Sequence, residues 1–183
     1  MSYFEHSQGV KREILATPEI LASARKAFSG EGEPFAFGGT VNLYRSGRLK
    51  SGLYVALRVF RTNVIEGTQS GERQSKNMEI YCQNAEDIKA LGESVPAFCV
   101  GVMHGEKAGI LTEDLTANGQ KGFEHCQDNA YGFVVDGESR RKVFVDLDTL
   151  GIQGEFTLPR ETKYPWEPRK AIKYFLDGNV LVL

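Results

Sequence analysis

An apolar run interrupted by few polar residues, and preceded by the turn signal Ser51-Gly52, predicts a β-strand at Leu53–Arg61. Successive side chains of a strand point to opposite faces of a sheet. One face of this strand carries Leu53, Val55, Leu57 and Val59, and the other carries Tyr54, Ala56, Arg58 and Phe60. Arg58 is therefore a lone cation on a mostly apolar face.

Apolar residues recur every three or four positions in other segments, which predicts helices. The first helix begins at Thr17-Pro18, a pair suited to the N-cap and the first helical position, and it ends at Ser29-Gly30. The second covers residues 72–91. A third helix is predicted at Trp166–Leu176.

Short apolar runs bounded by glycine-containing turns predict further strands. Residues 97–103 and 109–111 form one predicted pair. Residues 133–135 and 142–147 form a second pair, joined by the hairpin signal Asp136-Gly137. Most of the predicted sheet is therefore built from neighbouring strands joined by tight turns.

The order of these elements predicts an α+β fold, with a mainly antiparallel sheet and two or three packed helices. The chain has 183 residues, of which 41% are hydrophobic and 25% charged, and residues 1–183 are expected to form a single compact domain. The longest apolar run, around Val95–Met103, is too short to span a bilayer, and the first residues lack the order of a signal peptide. We therefore expect a cytoplasmic protein with no membrane partner.

The three cysteines, Cys82, Cys99 and Cys126, are an odd number and are widely spaced. Disulfide frameworks and zinc sites use closer, paired spacings. His125 adjoins Cys126, but neighbours on a strand point apart, so no Cys–His catalytic pair is predicted. We expect reduced, partly buried thiols.

Charge is distributed unevenly along the chain, although the net charge is only −2. Residues 34–65 contain no acid, whereas acids outnumber bases over residues 106–161. The basic residues of the first segment are Arg45, Arg48, Lys50, Arg58 and Arg61. Such a segment could attract phosphate, nucleic acid or an acidic partner, but a solvated hairpin is the favoured interpretation. No aromatic-interleaved RNA motif accompanies these charges, so nucleic acid is not the expected partner.

Two short motifs lie in the first half of the chain. Gly39-Thr40-Val41 is similar to the end of a glycine-rich loop that covers the phosphates of ATP, and Val55-Ala56-Leu57-Arg58 is similar to a V-A-I-K strand with arginine in place of lysine. Together they resemble the small lobe of protein-kinase-like and aminoglycoside-phosphotransferase-like proteins. The resemblance implies that a glutamate on the helix at 72–91 orients the arginine, with Glu79 placed better than Glu72 or Glu86. The implied nucleotide-binding residues are Gly38, Gly39, Arg58 and Glu79.

The segment His125–Asp136 resembles the catalytic loop and hairpin of the same proteins. Gln127 stands in place of the catalytic aspartate, and Gly132 stands in place of a metal-binding asparagine. A neutral amide cannot accept a proton from a substrate hydroxyl, so no catalytic residue is assigned. His125 is expected to support the backbone rather than to perform chemistry.

The segment Val143–Asp148 resembles the strand that carries the metal-binding aspartate of these proteins. The resemblance implies that Asp146 and Asp148 hold Mg²⁺, which prefers hard oxygen ligands. Each candidate also has a purely structural interpretation. Gly38-Gly39 could be a plain turn, Arg58 an ion-paired residue on a sheet face, and the two aspartates strand-end residues.

The resemblance covers residues 34–111 as a small lobe and 123–148 as a catalytic hairpin, leaving 160–183 for a closing helix and tail. It implies a non-catalytic or weakly active kinase-like protein that binds ATP with Mg²⁺, or a protein partner, in a cleft between Gly39, Arg58 and Asp146. An alternative is a ligand-free structural or interaction module, acting through a partner or as a homo-oligomer. Its contact would be the apolar segment Val180–Leu183, which we expect to pair as a strand or to be buried between subunits. A third function, suggested by the D-x-D motif, is a small-molecule phosphotransferase.

Overall fold

The structure, a computed structural model, describes residues 1–38, 41–61, 63–64, 67–68, 71–126, 130–147 and 178–183. Within these residues the helices are α1 (Tyr3–Leu15), α2 (Pro18–Phe28) and α3 (Gly71–Ala90). The strands are β1 (Ala36–Phe37), β2 (Val41–Arg48), β3 (Tyr54–Phe60), β4 (Asn63–Val64), β5 (Gly67–Thr68), β6 (Cys99–His104), β7 (Lys107–Glu113), β8 (Gly122–His125), β9 (Tyr131–Asp136), β10 (Ser139–Phe144) and β11 (Val180–Val182).

The strands form a large mixed sheet and a smaller antiparallel one. The large sheet has the order β1-β2-β3-β7-β6-β11, and its β11–β6 pair is parallel whereas its other pairs are antiparallel. The small sheet has the order β10-β9-β8, and β4 with β5 forms a separate two-residue hairpin. The predicted α+β class with a mainly antiparallel sheet is therefore confirmed.

Both faces of the large sheet are covered, and the alternation along β3 shows why. Val55, Leu57 and Val59 pack into the core that contains the buried residues of α2 together with Val10 and Ile14 of α1. On the opposite face, Phe60 packs into the core that contains the buried side of α3. The predicted division of this strand into two apolar faces is confirmed, and Arg58 lies on the face of Phe60.

Helix α1 is absent from the predicted elements, although the sequence carries a signal for it. Ser2 Oγ accepts a hydrogen bond from the N–H of Glu5, and the Glu5 carboxylate accepts one from the N–H of Ser2. This reciprocal capping box satisfies two of the free N–H groups at a helix start. Helix α2 has the predicted bounds, but the Thr17 hydroxyl donates back to the carbonyl of Glu13 instead of capping α2.

The small sheet differs from the prediction in one strand and one turn. Strand β8 is additional to the predicted hairpin. The hairpin itself is confirmed, but its two loop residues are Gly137 and Glu138, because Asp136 pairs with Ser139. Gly137 has φ +60°, a conformation that glycine adopts at little cost. The second predicted helix is observed as α3, which begins at Gly71 and is preceded by β4 and β5.

The chain ends in the large sheet. Strand β11 pairs with β6, and the Leu183 N–H donates to the carbonyl of Met103. This confirms the expectation that Val180–Leu183 can pair as a strand. The predicted helix at Trp166–Leu176 lies outside the described residues. None of the helices in the described part of the chain has the length and apolar composition needed to cross a membrane.

Truncation of Leu181 tests the placement of β11. Its side chain is 3% exposed and packs into the core beneath α1 and α2, so Leu181→Ala should lower the free energy of unfolding by about 2–5 kcal/mol. The neighbouring Val182 is 81% exposed, and Val182→Ala should change the free energy of unfolding by less than about 0.5 kcal/mol. Urea denaturation measures both, and equal losses in the two variants would contradict this packing.

Candidate functional site

Arg58 is the charged residue at the centre of the site. It lies on β3, which is paired on one side with β2 and on the other with β7, and the residue is only 9% exposed. Its guanidinium carbon lies 5.3 Å from the ring centroid of Tyr81, a buried residue of α3. A cation over an aromatic face is stabilised by the quadrupole of the ring, and more strongly where water is excluded.

Asp146 provides the opposite charge. Its Oδ1 accepts a hydrogen bond from Arg58 Nη2 at 3.2 Å, although 88 residues separate the two in sequence. The chain around Asp146 is held on both sides. The N–H groups of Val145 and Asp146 donate to the carbonyl of Ala130, and the amide of Asn84 on α3 donates to the carbonyl of Leu147. The sequence-predicted residues Arg58 and Asp146 are therefore brought together.

His125 is a third member of this cluster. It is the last residue of β8, paired with Gly132 of β9, and its Nε2 lies 2.7 Å from Asp146 Oδ2. One carboxylate therefore bridges Arg58 and His125. The sequence indicated His125 as a backbone support, and neither His125 nor Tyr81 was predicted to contact the charged pair.

The electrostatics of the cluster favour its charged form. Burial raises the pKa of Asp146, but the hydrogen bond from His125 and the charge of Arg58 outweigh it, and the pKa lies below its usual value. The hydrogen bond to Asp146 is the largest influence on His125 and raises its pKa, against the opposing effects of burial and of Arg58. The side chains of His125 and Asp146 remain 44% and 33% exposed, so solvent reaches the pair.

The other sequence-predicted residues that the structure describes include Gly38 and Glu79. The Gly38 N–H donates to the carbonyl of Val41 at 2.8 Å and closes the turn between β1 and β2. Val41 pairs with Phe60, two residues along β3 from Arg58. Glu79 is half-buried on α3, two residues before Tyr81. The residues outside the described ones are Gly39, Gln127 and Asp148.

Gly132 has a packing reason for its lack of a side chain. A Cβ at this position would stand 2.6 Å from the carbonyl oxygen of Glu124 and would also overlap the ring of Phe123. The close approach of β8 and β9 therefore requires glycine here. The position that the resemblance assigns to a metal-binding asparagine has no room for one.

The arginines of the basic segment 34–65 are engaged in contacts within the chain. Besides Arg58, three of them lie over aromatic rings, at 4.1 Å for Arg45 over Phe35, 5.1 Å for Arg48 over Tyr54 and 5.7 Å for Arg61 over Phe37. Arg45 also forms an ion pair with Asp114 at 3.8 Å. Intramolecular contacts thus account for part of this positive charge.

Comparison with known proteins provides no family for the chain. No protein family, no curated protein and no solved structure matches it. Among the residues that the structure describes, no cluster of three or more His, Cys, Asp or Glu side chains could hold a metal ion. The contacts of Arg58, Asp146 and His125 are therefore the main indication of function in the described part of the chain.

The His125–Asp146 pair predicts a pH dependence of stability. The raised pKa of His125 means that its contribution is complete below its unfolded-state pKa of about 6.5 and is lost as the pH rises through the higher folded-state value. The lowered pKa of Asp146 means that its contribution is lost only at acidic pH, as the pH falls through the folded-state value. The pair should therefore stabilise the protein most between about pH 4 and 6.5.

Urea denaturation between pH 5 and 9 (a range set by the ordinary histidine pKa of about 6.5) measures this effect. Asp146→Asn should remove most of the loss of stability above neutral pH. An NMR titration of the imidazole resonances should give a lower pKa for His125 in this variant than in the wild-type protein. Glu124→Gln is the matched control, because Glu124 pairs with Arg140 rather than with His125. An unchanged alkaline slope in Asp146→Asn would contradict the pairing.

Gly132→Ala tests the close approach of β8 and β9. Overpacking in a well-packed region typically costs about 1–3 kcal/mol, and we expect a loss of unfolding free energy in that range. At Gly122, on the same sheet, a new Cβ would stand 3.6 Å from Val135 Cβ, an ordinary contact. Gly122→Ala should therefore leave the unfolding free energy measured by urea denaturation nearly unchanged. Similar losses of unfolding free energy in both variants would contradict the close approach of β8 and β9 at Gly132.

Proposed function

We propose that this chain is a non-catalytic kinase-like protein that binds a nucleoside triphosphate with Mg²⁺ beside Arg58 and Asp146. The observation that carries the proposal is the contact of 3.2 Å between these two side chains. They come from the V-A-I-K-like strand β3 and from the D-x-D-like segment that follows β10, the two motifs expected to meet at the phosphates of a nucleotide.

The placement of the elements supports the same proposal. In protein kinases the phosphate-binding lysine lies on the third strand, and its glutamate partner lies on a helix that follows. Here Arg58 lies on β3 and Glu79 on α3. The turn closed by Gly38 joins β1 to β2, where a glycine-rich loop would cover phosphates.

Arg58 carries a functional group that suits phosphate. A guanidinium has five N–H groups in a planar fork, and one of them donates to Asp146. Arginine matches phosphate geometry well through paired hydrogen bonds. In this proposal Glu79 orients Arg58, and the backbone near Gly38 and Gly39 approaches the nucleotide.

Asp146 fits a role as a magnesium ligand that works together with the nucleotide. Its two oxygens lie beside Arg58 and His125, and each oxygen of a carboxylate has two acceptor sites. Mg²⁺ is typically held by one or two carboxylates together with phosphate oxygens rather than by a complete protein cage. Asp148 would be the second carboxylate. The metal would neutralise phosphate charge and fix its orientation.

The lack of catalysis follows from two positions in the hairpin. Gln127 has a neutral amide in place of the catalytic carboxylate, so it cannot accept a proton. Gly132 has no side chain to bind a second metal ion, and the neighbouring strand excludes one. Phosphoryl transfer depends on positioning and on charge stabilisation by these groups. Binding without efficient transfer is the expected outcome.

Thermal unfolding with ATP, in Mg²⁺ or in EDTA, tests the proposal. A ligand at 100 times its Kd adds about 2.7 kcal/mol, or roughly 5–10 °C in Tm for a chain of this size. Asp146→Asn should remove the magnesium-dependent part of the shift, and Arg58→Gln should reduce the shift in both buffers. Arg140→Gln is the control, because it removes an arginine from an exposed ion pair with Glu124.

The outcomes separate the candidate functions. A magnesium-dependent shift that both site variants lose would support the proposal. No shift of the wild-type protein at millimolar ATP would overturn it and favour the ligand-free interaction module. Transfer of labelled phosphate to a small molecule, lost in Asp146→Ala, would overturn the non-catalytic assignment and favour a phosphotransferase.

A further inference from the structure

Two of the three cysteines meet in the core behind the candidate site. Cys82 lies on α3 and Cys99 on β6, both side chains are buried, and their Sγ atoms are 3.0 Å apart. A disulfide has an S–S distance of about 2.05 Å, so the sulfur atoms are within roughly 1 Å of bonding distance. Cys126 is half-buried and lies after β8.

The backbones that carry the two sulfur atoms are held in place. The Cys99 N–H donates to Ser7 Oγ at 3.1 Å, and the Cys99 carbonyl accepts from the Asn179 amide at 2.6 Å. Helix α3 lies close to β6 at Gly101, where an added Cβ would stand 2.8 Å from the sulfur of Met78. The proximity of the two thiols is therefore set by tertiary packing on both sides.

We propose that Cys82 and Cys99 form an intrachain disulfide by exchange with a low-molecular-weight disulfide such as oxidised glutathione. One cysteine thiolate attacks a sulfur of glutathione disulfide, which forms a mixed disulfide and releases one glutathione thiolate. The other cysteine then attacks the protein sulfur of the mixed disulfide and releases the second glutathione. The two cysteine sulfurs are oxidised, one glutathione disulfide is reduced, and both cysteine protons pass to the solvent or to the released thiolates.

Burial governs the rate of this reaction. It raises the pKa of the Cys99 thiol, and the neighbouring Cys82 raises it further, so little thiolate forms in the closed core. Exchange therefore requires opening of the contact between α3 and β6. Once the core has closed again, the packing favours the Cys82–Cys99 pair over either pairing with Cys126.

The cross-link would fasten the helix that carries Tyr81 to the sheet. Cys82 is next in sequence to Tyr81, whose ring contacts the guanidinium of Arg58, so the disulfide would restrain one wall of the candidate site. It would also constrain the unfolded chain and raise the stability of the fold. This inference is independent of nucleotide binding.

Refolding from urea in a glutathione redox buffer tests the proposal at equilibrium, where access to the buried thiols does not limit the result. Peptide mapping should show one linkage, between the peptides of Cys82 and Cys99, with a mass lower by two hydrogens and no linkage to Cys126. The oxidised protein should unfold roughly 5–10 °C higher than the reduced protein, and dithiothreitol should reverse the shift.

Three variants are the controls. Cys126→Ser should retain the linkage and the rise in Tm, whereas Cys82→Ala and Cys99→Ala should lose both. Circular dichroism establishes that each variant folds. Two results would overturn the proposal: Cys82 and Cys99 remaining reduced in protein refolded with excess glutathione disulfide, or the linkage forming mainly with Cys126.

Discussion

The charge of Arg58 in the middle of the large sheet is the constraint on which the rest of the structure depends. An arginine on a strand paired on both sides loses most of its contact with water, and a buried charge is stable only when it is paired. Asp146 supplies the opposite charge, and Tyr81 supplies a ring face. The same contacts hold the segment after β10 of the small sheet against the middle of the large sheet. Pairing of the buried charge therefore also fixes how the two sheets pack.

The parts of the fold that the sequence predicts are those with a strong hydrophobic period. The alternation along β3 and the helical spacing in α3 define buried faces, and both elements are found where the pattern placed them. Strand β8 was missed because Gly122–His125 is mostly exposed and carries no such period. Helix α1 was missed for another reason, since its signal is a capping box at Ser2 rather than a long apolar stripe.

The sequence indicates individual residues of the candidate site but not the contacts between them. The order of the motifs indicated Arg58 and Asp146, yet a distance across 88 residues depends on how two sheets pack. His125 reaches Asp146 because β8 pairs with β9, and β8 has no hydrophobic signal. The two buried cysteines show the same limit. Their separation in sequence suggested isolated thiols, and only the crossing of α3 over β6 brings them together.

The packing around Gly132 has an evolutionary consequence. Any side chain there meets the ring of Phe123 and the backbone of Glu124, so a single substitution at 132 disturbs the pairing of β8 with β9. A side chain at 132 is therefore compatible with this fold only if position 123 or the spacing of β8 changes first. The order of substitutions at the two positions thus decides which intermediate sequences stay folded.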